Sequence, residues 1–191
     1  MSKKETSSLD HYLSQIDLLL DRALQKIDQL HWITLSSVQI KNDESLPDAR
    51  TVVLRKILKN RELVFYTDRR SPKVEQFKQN KNAVALLYDR TAQLQLRIHG
   101  AIEIDTQSAL YEDARDRIPT QAKVNYNTLH APGSPAHSKE PDRNEEVLHF
   151  ALLRFLPHTF DLLHLTPEGG KRIEVKSTNE GTLGEARWLV P

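Results

Sequence analysis

The chain has 191 residues, a formal net charge of +1 and no cysteine. That length suits one domain with a real core, the near-balance of charge speaks against a general nucleic-acid binder, and the missing thiols exclude disulfides and thiolate metal sites. No apolar h-region precedes a cleavage-like site near the N-terminus, and no apolar run approaches the ~20 residues of a membrane span, so a soluble, cytoplasmic protein is expected, with no nucleic-acid or membrane partner.

Residues 1–8 are polar and read as a loose N-terminus. Leu9, Leu13, Ile16, Leu20, Leu24 and Ile27 then recur at helical spacing, which predicts an amphipathic helix over 9–30. Trp32 to Ile40 is rich in β-formers and reads as a strand. The cluster from Lys41 to Pro47 reads as a turn, and a second strand, Ala49 to Leu58, completes a hairpin too short to be a parallel crossover. A third strand is expected over 62–67. Ser71 then offers a side-chain cap, with Pro72 at the first helical position of a helix reaching about Asn80. Ala83 to Tyr88 reads as a fourth strand.

From Gln93 to Asp105 the alternation is strict. Leu94, Leu96, Ile98, Ile102 and Ile104 point one way, and Gln93, Gln95, Arg97, His99 and Glu103 the other. Gly100 interrupts the pattern and marks a bulge or a close backbone approach. Asp105 or Thr106 is the expected cap of a helix reaching Ile118. Residues 119–146 form an irregular loop region with one short helix. Strands return at 148–156, 159–165 and 171–177, with Pro157 and Gly169-Gly170 as turns, and a last strand spans 186–190. Seven or eight strands in meander order, without regular β–α alternation, predict a mainly β (α+β) fold: a small antiparallel barrel with peripheral helices.

The chemistry-bearing residues gather between Ala49 and Gly100. Arg50 and Arg55 bracket Thr51-Val52-Val53-Leu54, and guanidinium groups bind phosphate by charge-assisted, bidentate hydrogen bonds. Five residues apart on a strand, they face opposite sides, so a shared ligand would have to bridge the strand end. The start of a helix at Ser71-Pro72-Lys73 favours an anion, with Arg69 and Arg70 adding positive charge nearby. Tyr66, Thr67 and Gln95 offer hydrogen bonds to a polar heterocycle. Read singly, each of these also fits an ordinary surface or half-buried residue. The chain lacks H-E-x-x-H, G-x-S-x-G, G-x-G-x-x-G and Walker motifs, so metal, triad-hydrolase, Rossmann and P-loop chemistries have no sequence support.

In order, Arg50-Thr51-Val52-Val53-Leu54-Arg55, Phe65-Tyr66-Thr67, Ser71-Pro72-Lys73 and Gln95-Leu96-Arg97-Ile98-His99-Gly100 resemble the pyridoxamine 5'-phosphate oxidase-like family of FMN-binding split-barrel flavoproteins. The resemblance spans about residues 32–105, with Trp188-Leu189-Val190-Pro191 similar to the family's terminal strand. It implies a single split-barrel domain over 1–191, FMN as cofactor, and a homodimer with FMN at the subunit interface and a small-molecule substrate. By the same resemblance Arg50 and Lys73 hold the FMN phosphate. Thr51, Val52, Val53 and Leu54 face the isoalloxazine ring, and Arg55 stands near flavin and substrate. Tyr66, Thr67 and Ser71 lie beside the phosphate and ribityl chain, Gln95 reaches the flavin, and the loop from Tyr126 to Gly133 comes from the second subunit. Tyr111 and Arg115 keep a Y-x-x-x-R spacing similar to part of the substrate-phosphate site, with Arg172 as a partial replacement for a missing C-terminal motif. Pro72 stands where the oxidases carry arginine. The pattern after Arg115 also departs, and Lys171-Arg172-Ile173-Glu174-Val175 replaces the R-L-H-x-R motif. The resemblance therefore implies an FMN-dependent oxidoreductase of unassigned substrate. Its alternatives are an authentic pyridoxamine/pyridoxine 5'-phosphate oxidase, a flavin-binding carrier or sensor without efficient turnover, and a pyridoxal-phosphate-binding or inactive structural homologue.

Overall fold

A computed structural model describes residues 3–136, 138–178 and 181–191. Helix α1 spans Lys3–Leu24 and buries Leu9, Tyr12, Ile16, Leu19, Leu20 and Ala23 against the barrel. It starts earlier than Leu9 and stops earlier than Leu30. Lys26, Asp28 and Gln29 adopt positive φ, so the chain turns through a short 3₁₀ segment at Ile27–Gln29. Leu24 and Ile27 are consequently exposed and lie outside the buried stripe.

The described residues form eight strands: β1 Trp32–Lys41, β2 Glu44–Ile57, β3 Leu63–Asp68, β4 Asn82–Asp89, β5 Leu94–Asp105, β6 Phe150–His164, β7 Lys171–Ser177 and β8 Leu183–Leu189. Their order is β3-β2-β1-β4-β5-β6-β7-β8, all antiparallel, and a further β3–β6 pairing closes β1 to β6 into a ring. The β1–β2 turn is only Asn42-Asp43, both at positive φ, between the paired Lys41 and Glu44. This is the twist-matched two-residue hairpin that Asn and Asp tolerate. The rest of the turn expected over 41–47 is therefore strand. Pro47 is accommodated because β3 pairs with β2 only from Leu54 onward, leaving an edge at Pro47.

Pro157 does not end a strand either. β6 runs through it, pairing with β3 over its first half and with β7 from Thr159 onward, while β5 accompanies it along its length. Pro157 sits opposite Gly100 at a register shift where β6 changes partner, so its missing donor falls where the ladder is already interrupted. A Cβ on Gly100 would run into the Leu156 carbonyl oxygen and come within 2.8 Å of the Phe155 ring. The close approach expected at this glycine is thus a packing of β5 on the centre of β6.

Inward residues of the ring, including Ile33, Leu35, Leu54, Phe65, Leu87, Leu96, Ile98, Phe155 and Phe160, form the main core. A second cluster, Val64, Ala114, Ile118, Tyr126, Phe150 and Leu152, lies outside β3 and β6. It is roofed by α3, Ala109–Asp116, and the short α4, Thr120–Lys123. The α3 cap is Ser108, whose Oγ accepts from Tyr111 N at 3.2 Å. Asp105 instead accepts the backbone N–H groups of Gln107 and Ser108, so it holds the turn before the helix.

Candidate functional site

Helix α2, Pro72–Gln79, packs its buried Val74 and Phe77 onto the main core. That packing sets Ser71 and Lys73 at one end of the barrel, beside the end of β3. Ser71 does not cap the helix with its side chain, contrary to the sequence expectation. Its hydroxyl lies 3.1 Å from Thr67 Oγ1, and Lys73 Nζ donates to both hydroxyls at 3.2 Å. Thr67 and Ser71 are buried. Lys73 has no carboxylate within ion-pair distance among the described residues. Burial, and then the nearby Arg50 guanidinium, push its ammonium below the ordinary lysine value. A part-buried ammonium whose direct partners are hydroxyls, with the Asp68 and Asp48 carboxylates acting only at longer range, is short of counter-charge.

Arg50 reaches the same place from β2. It shares the inward parity of Val52 and Leu54, which are buried, so its side chain crosses the barrel end toward α2. Nη1 donates to the Leu35 carbonyl at 3.1 Å. Nη2 donates to Asp48 at 2.7 Å and to Gln76 Oε1 at 2.8 Å. Gln76 in turn accepts from Ser37 Oγ at 2.5 Å and donates to Asp48 at 2.9 Å. The hydrogen bond from Gln76, and the charge and hydrogen bond of Arg50, hold the Asp48 carboxyl below its ordinary range despite partial burial. Sequence reasoning missed Gln76, Asp48 and Ser37. A polar residue on the buried face of a short helix is the only signal that could have flagged Gln76, and it is visible only once the apolar face is assigned.

Arg70 adds no free charge here. Its guanidinium pairs with Asp68 at 2.7 Å and donates to the carbonyls of Thr128 and Leu129. That clamp holds residues 128–133 beside α2, where Gly133 would place a Cβ 3.4 Å from Pro72.

Arg55 lies apart from Arg50, as their odd spacing requires. It sits over the Tyr66 ring at 5.5 Å. Tyr66 packs edge-on to Phe150, Tyr111 stacks on Phe150, and Tyr126 meets it edge-on. Arg115 lies over Tyr111 and pairs with Asp116. Burial raises the phenols of Tyr66 and Tyr126 above the ordinary tyrosine value, so both stay protonated near neutrality.

Thr51 and Val53 point to the outside of the ring, away from the buried Val52 and Leu54. One cross-strand row there runs Thr51, Thr34, Leu86, Arg97, Asp161, Glu174 and Arg187. Gln95 shares this outer face, between Tyr88 and Leu163. Arg172 grips the buried Asp161 through two bonds of 2.9 and 2.7 Å, and Arg97 also pairs with that carboxylate. Trp32 and Tyr88 are 57% and 50% exposed on the same face. The predicted residues thus fall into three neighbourhoods: an anion cluster (Arg50, Thr67, Ser71, Lys73), an aromatic cluster (Arg55, Tyr66, Tyr111, Arg115), and an open outer face (Thr51, Val53, Gln95, Arg172). Val52 and Leu54 supply only backbone to that face.

Solved structures share this architecture. A pyridoxamine 5'-phosphate oxidase-related, FMN-binding protein from Nostoc punctiforme superposes with a TM-score of 0.73 at 22% identity, over 93% of this chain and 96% of its own. PhzG from Burkholderia lata, solved in complex with tetrahydrophenazine-1-carboxylic acid, gives 0.67 at 15% identity, over 98% of this chain and 92% of its own. A protein from Clostridium acetobutylicum related to general stress protein 26, of the pyridoxinephosphate oxidase family, gives 0.53 at 14% identity, over 85% and 93%. No curated protein matches the sequence. Residues 12–106, which carry the second half of α1 and all of β1 to β5, match the model described as pyridoxamine 5'-phosphate oxidase, FMN-binding domain. With the same split barrel, and with that match across the strands that carry Arg50 and Gln95 and the helix that carries Lys73, the chain belongs to the pyridoxamine 5'-phosphate oxidase-like family.

Proposed function

We propose that this protein binds FMN and serves as an FMN-dependent oxidoreductase, as a homodimer whose second copy covers the open outer face. The observation that carries the reading is Lys73 held by two buried hydroxyls, with no carboxylate in ion-pair reach among the described residues and the Arg50 guanidinium close enough to depress its ammonium. Such a cluster fits a phosphate monoester, which brings a charge of about −1.5 to −2 and strong acceptor oxygens. The flavin, when bound, supplies the redox chemistry. The chain's own residues bind and orient it. Arg50, Ser71, Thr67 and Lys73 fix the phosphate, Tyr66 flanks the chain beyond it, and Thr51 to Leu54 present backbone to the ring. Gln95 offers a hydrogen bond from the outer face.

The substrate is a small molecule. The structure of Arg172 favours a substrate other than pyridoxamine 5'-phosphate, because this guanidinium is already committed to a buried carboxylate. Arg115 is likewise paired, and exposed.

The test is a paired titration of FMN and riboflavin. Arg50→Ala or Lys73→Ala should weaken FMN binding by about 2–5 kcal/mol, the range for truncating one partner of a buried charge pair. Riboflavin, which lacks the phosphate, should change much less. Equal losses for both ligands would refute the phosphate assignment.

A further inference from the structure

Asp48 holds the donors that a bidentate anion would need. A guanidinium grips two oxygens through Nη2 together with either Nη1 or Nε, so both grips use Nη2. In Arg50, Nη2 already serves two acceptors, Asp48 at 2.7 Å and Gln76 at 2.8 Å. Gln76 is 5% exposed and is also held by Ser37. The Asp48 side chain is 44% exposed, on a stretch of β2 that β3 does not flank. Of the two acceptors, Asp48 can return to water at little cost. The same Asp48 oxygen accepts from Gln76 Nε2, so its departure frees two donors together.

We propose that Asp48 is an exchangeable internal anion, whose carboxylate occupies the Arg50 and Gln76 donors that a ligand phosphate takes over. The inference rests on reading the Arg50–Lys73 cluster as a phosphate clamp. Charge supports the exchange. Arg50 and Lys73 bring two positive charges and Asp48 one negative, and a phosphate near −2 balances the two cations only when Asp48 has swung away. Asp48 thereby sets how tightly the phosphate-bearing ligand is held, and competes with it for the same atoms.

Asp48→Asn keeps the shape and removes the competing charge, and Asp48→Ala removes the acceptor. Both are titrated with FMN and with riboflavin beside wild type and Arg50→Ala, and melted without ligand. Both Asp48 variants should bind FMN more tightly, on the order of five-fold, the factor for an ion pair of about 1 kcal/mol. Riboflavin affinity should be unchanged, and the ligand-free melting temperature unchanged or slightly lower. Tighter FMN binding without any gain in ligand-free stability is a combination that a merely structural aspartate would not give. Unchanged or weaker FMN binding in both variants overturns the proposal. If Arg50→Ala fails to alter the preference for FMN over riboflavin, the clamp reading itself fails, and that result is distinct from the failure of Asp48.

Discussion

The site depends on a few residues whose direction, more than their identity, decides their use. Arg50 and Arg55 are the same residue type on one strand, yet odd spacing sends one to the barrel end and the other onto Tyr66. Lys73 carries the sharpest consequence. Its ammonium is held below the ordinary lysine value, first by burial and then by Arg50. As pH rises through that depressed value, Lys73 loses its proton and the clamp loses a cation. The preference for FMN over riboflavin should therefore fall with rising pH in the alkaline range, by up to about ten-fold per pH unit, and Lys73→Ala should flatten the profile. Stability responds with the opposite sign. Between the folded and the unfolded pKa the unfolded chain binds more protons at Lys73, so the Lys73 contribution to folding rises with pH across that window. Parallel titrations and melts from neutral to alkaline pH separate the two effects. A preference that stays level in wild type would remove Lys73 from the site.

Among the elements, β5 and β6 form the spine, because β6 alone links the closed ring to the β7–β8 extension. Their contact depends on Gly100, and Gly100→Ala should destabilise the protein by about 1–3 kcal/mol through overpacking against Leu156 and Phe155. Urea unfolding measures this, and an unchanged midpoint would show that the backbone approach is looser than described. The β5 strand was legible because its alternation is a local signal. β6 was not, since a proline inside a strand normally means a break, and only the partner change at Pro157 makes it harmless. The Asn42-Asp43 turn was blurred by Ser45 and Pro47, whose polar and cyclic side chains read as loop but lie in a strand with a free edge. Ser71, Pro72 and Lys73 were legible as a helix start. The Ser71 hydroxyl is diverted to Thr67 by a contact between β3 and α2 that no local pattern encodes. For the same reason Gln76 and Asp48, brought to Arg50 from a helix and an edge strand, stayed hidden.

At the scale of the molecule, one mostly polar face of the sheet leaves two large aromatic side chains open beside the candidate site. Trp32 and Tyr88 stand exposed in the same sheet face as Thr51, Val53 and Gln95, and nothing within the described chain covers them. A second copy laid on that face would bury the aromatics and complete the wall opposite Thr51 to Leu54, which makes flavin binding and assembly one equilibrium. The measurement is sedimentation of FMN-loaded protein across a dilution series, followed in the flavin's own visible absorption, for wild type and Trp32→Asp. The account predicts flavin colour travelling with a dimer at one FMN per chain, and a colourless monomer for the variant. Wild-type protein that takes up no FMN, or a stable monomer that retains it in full, would contradict it.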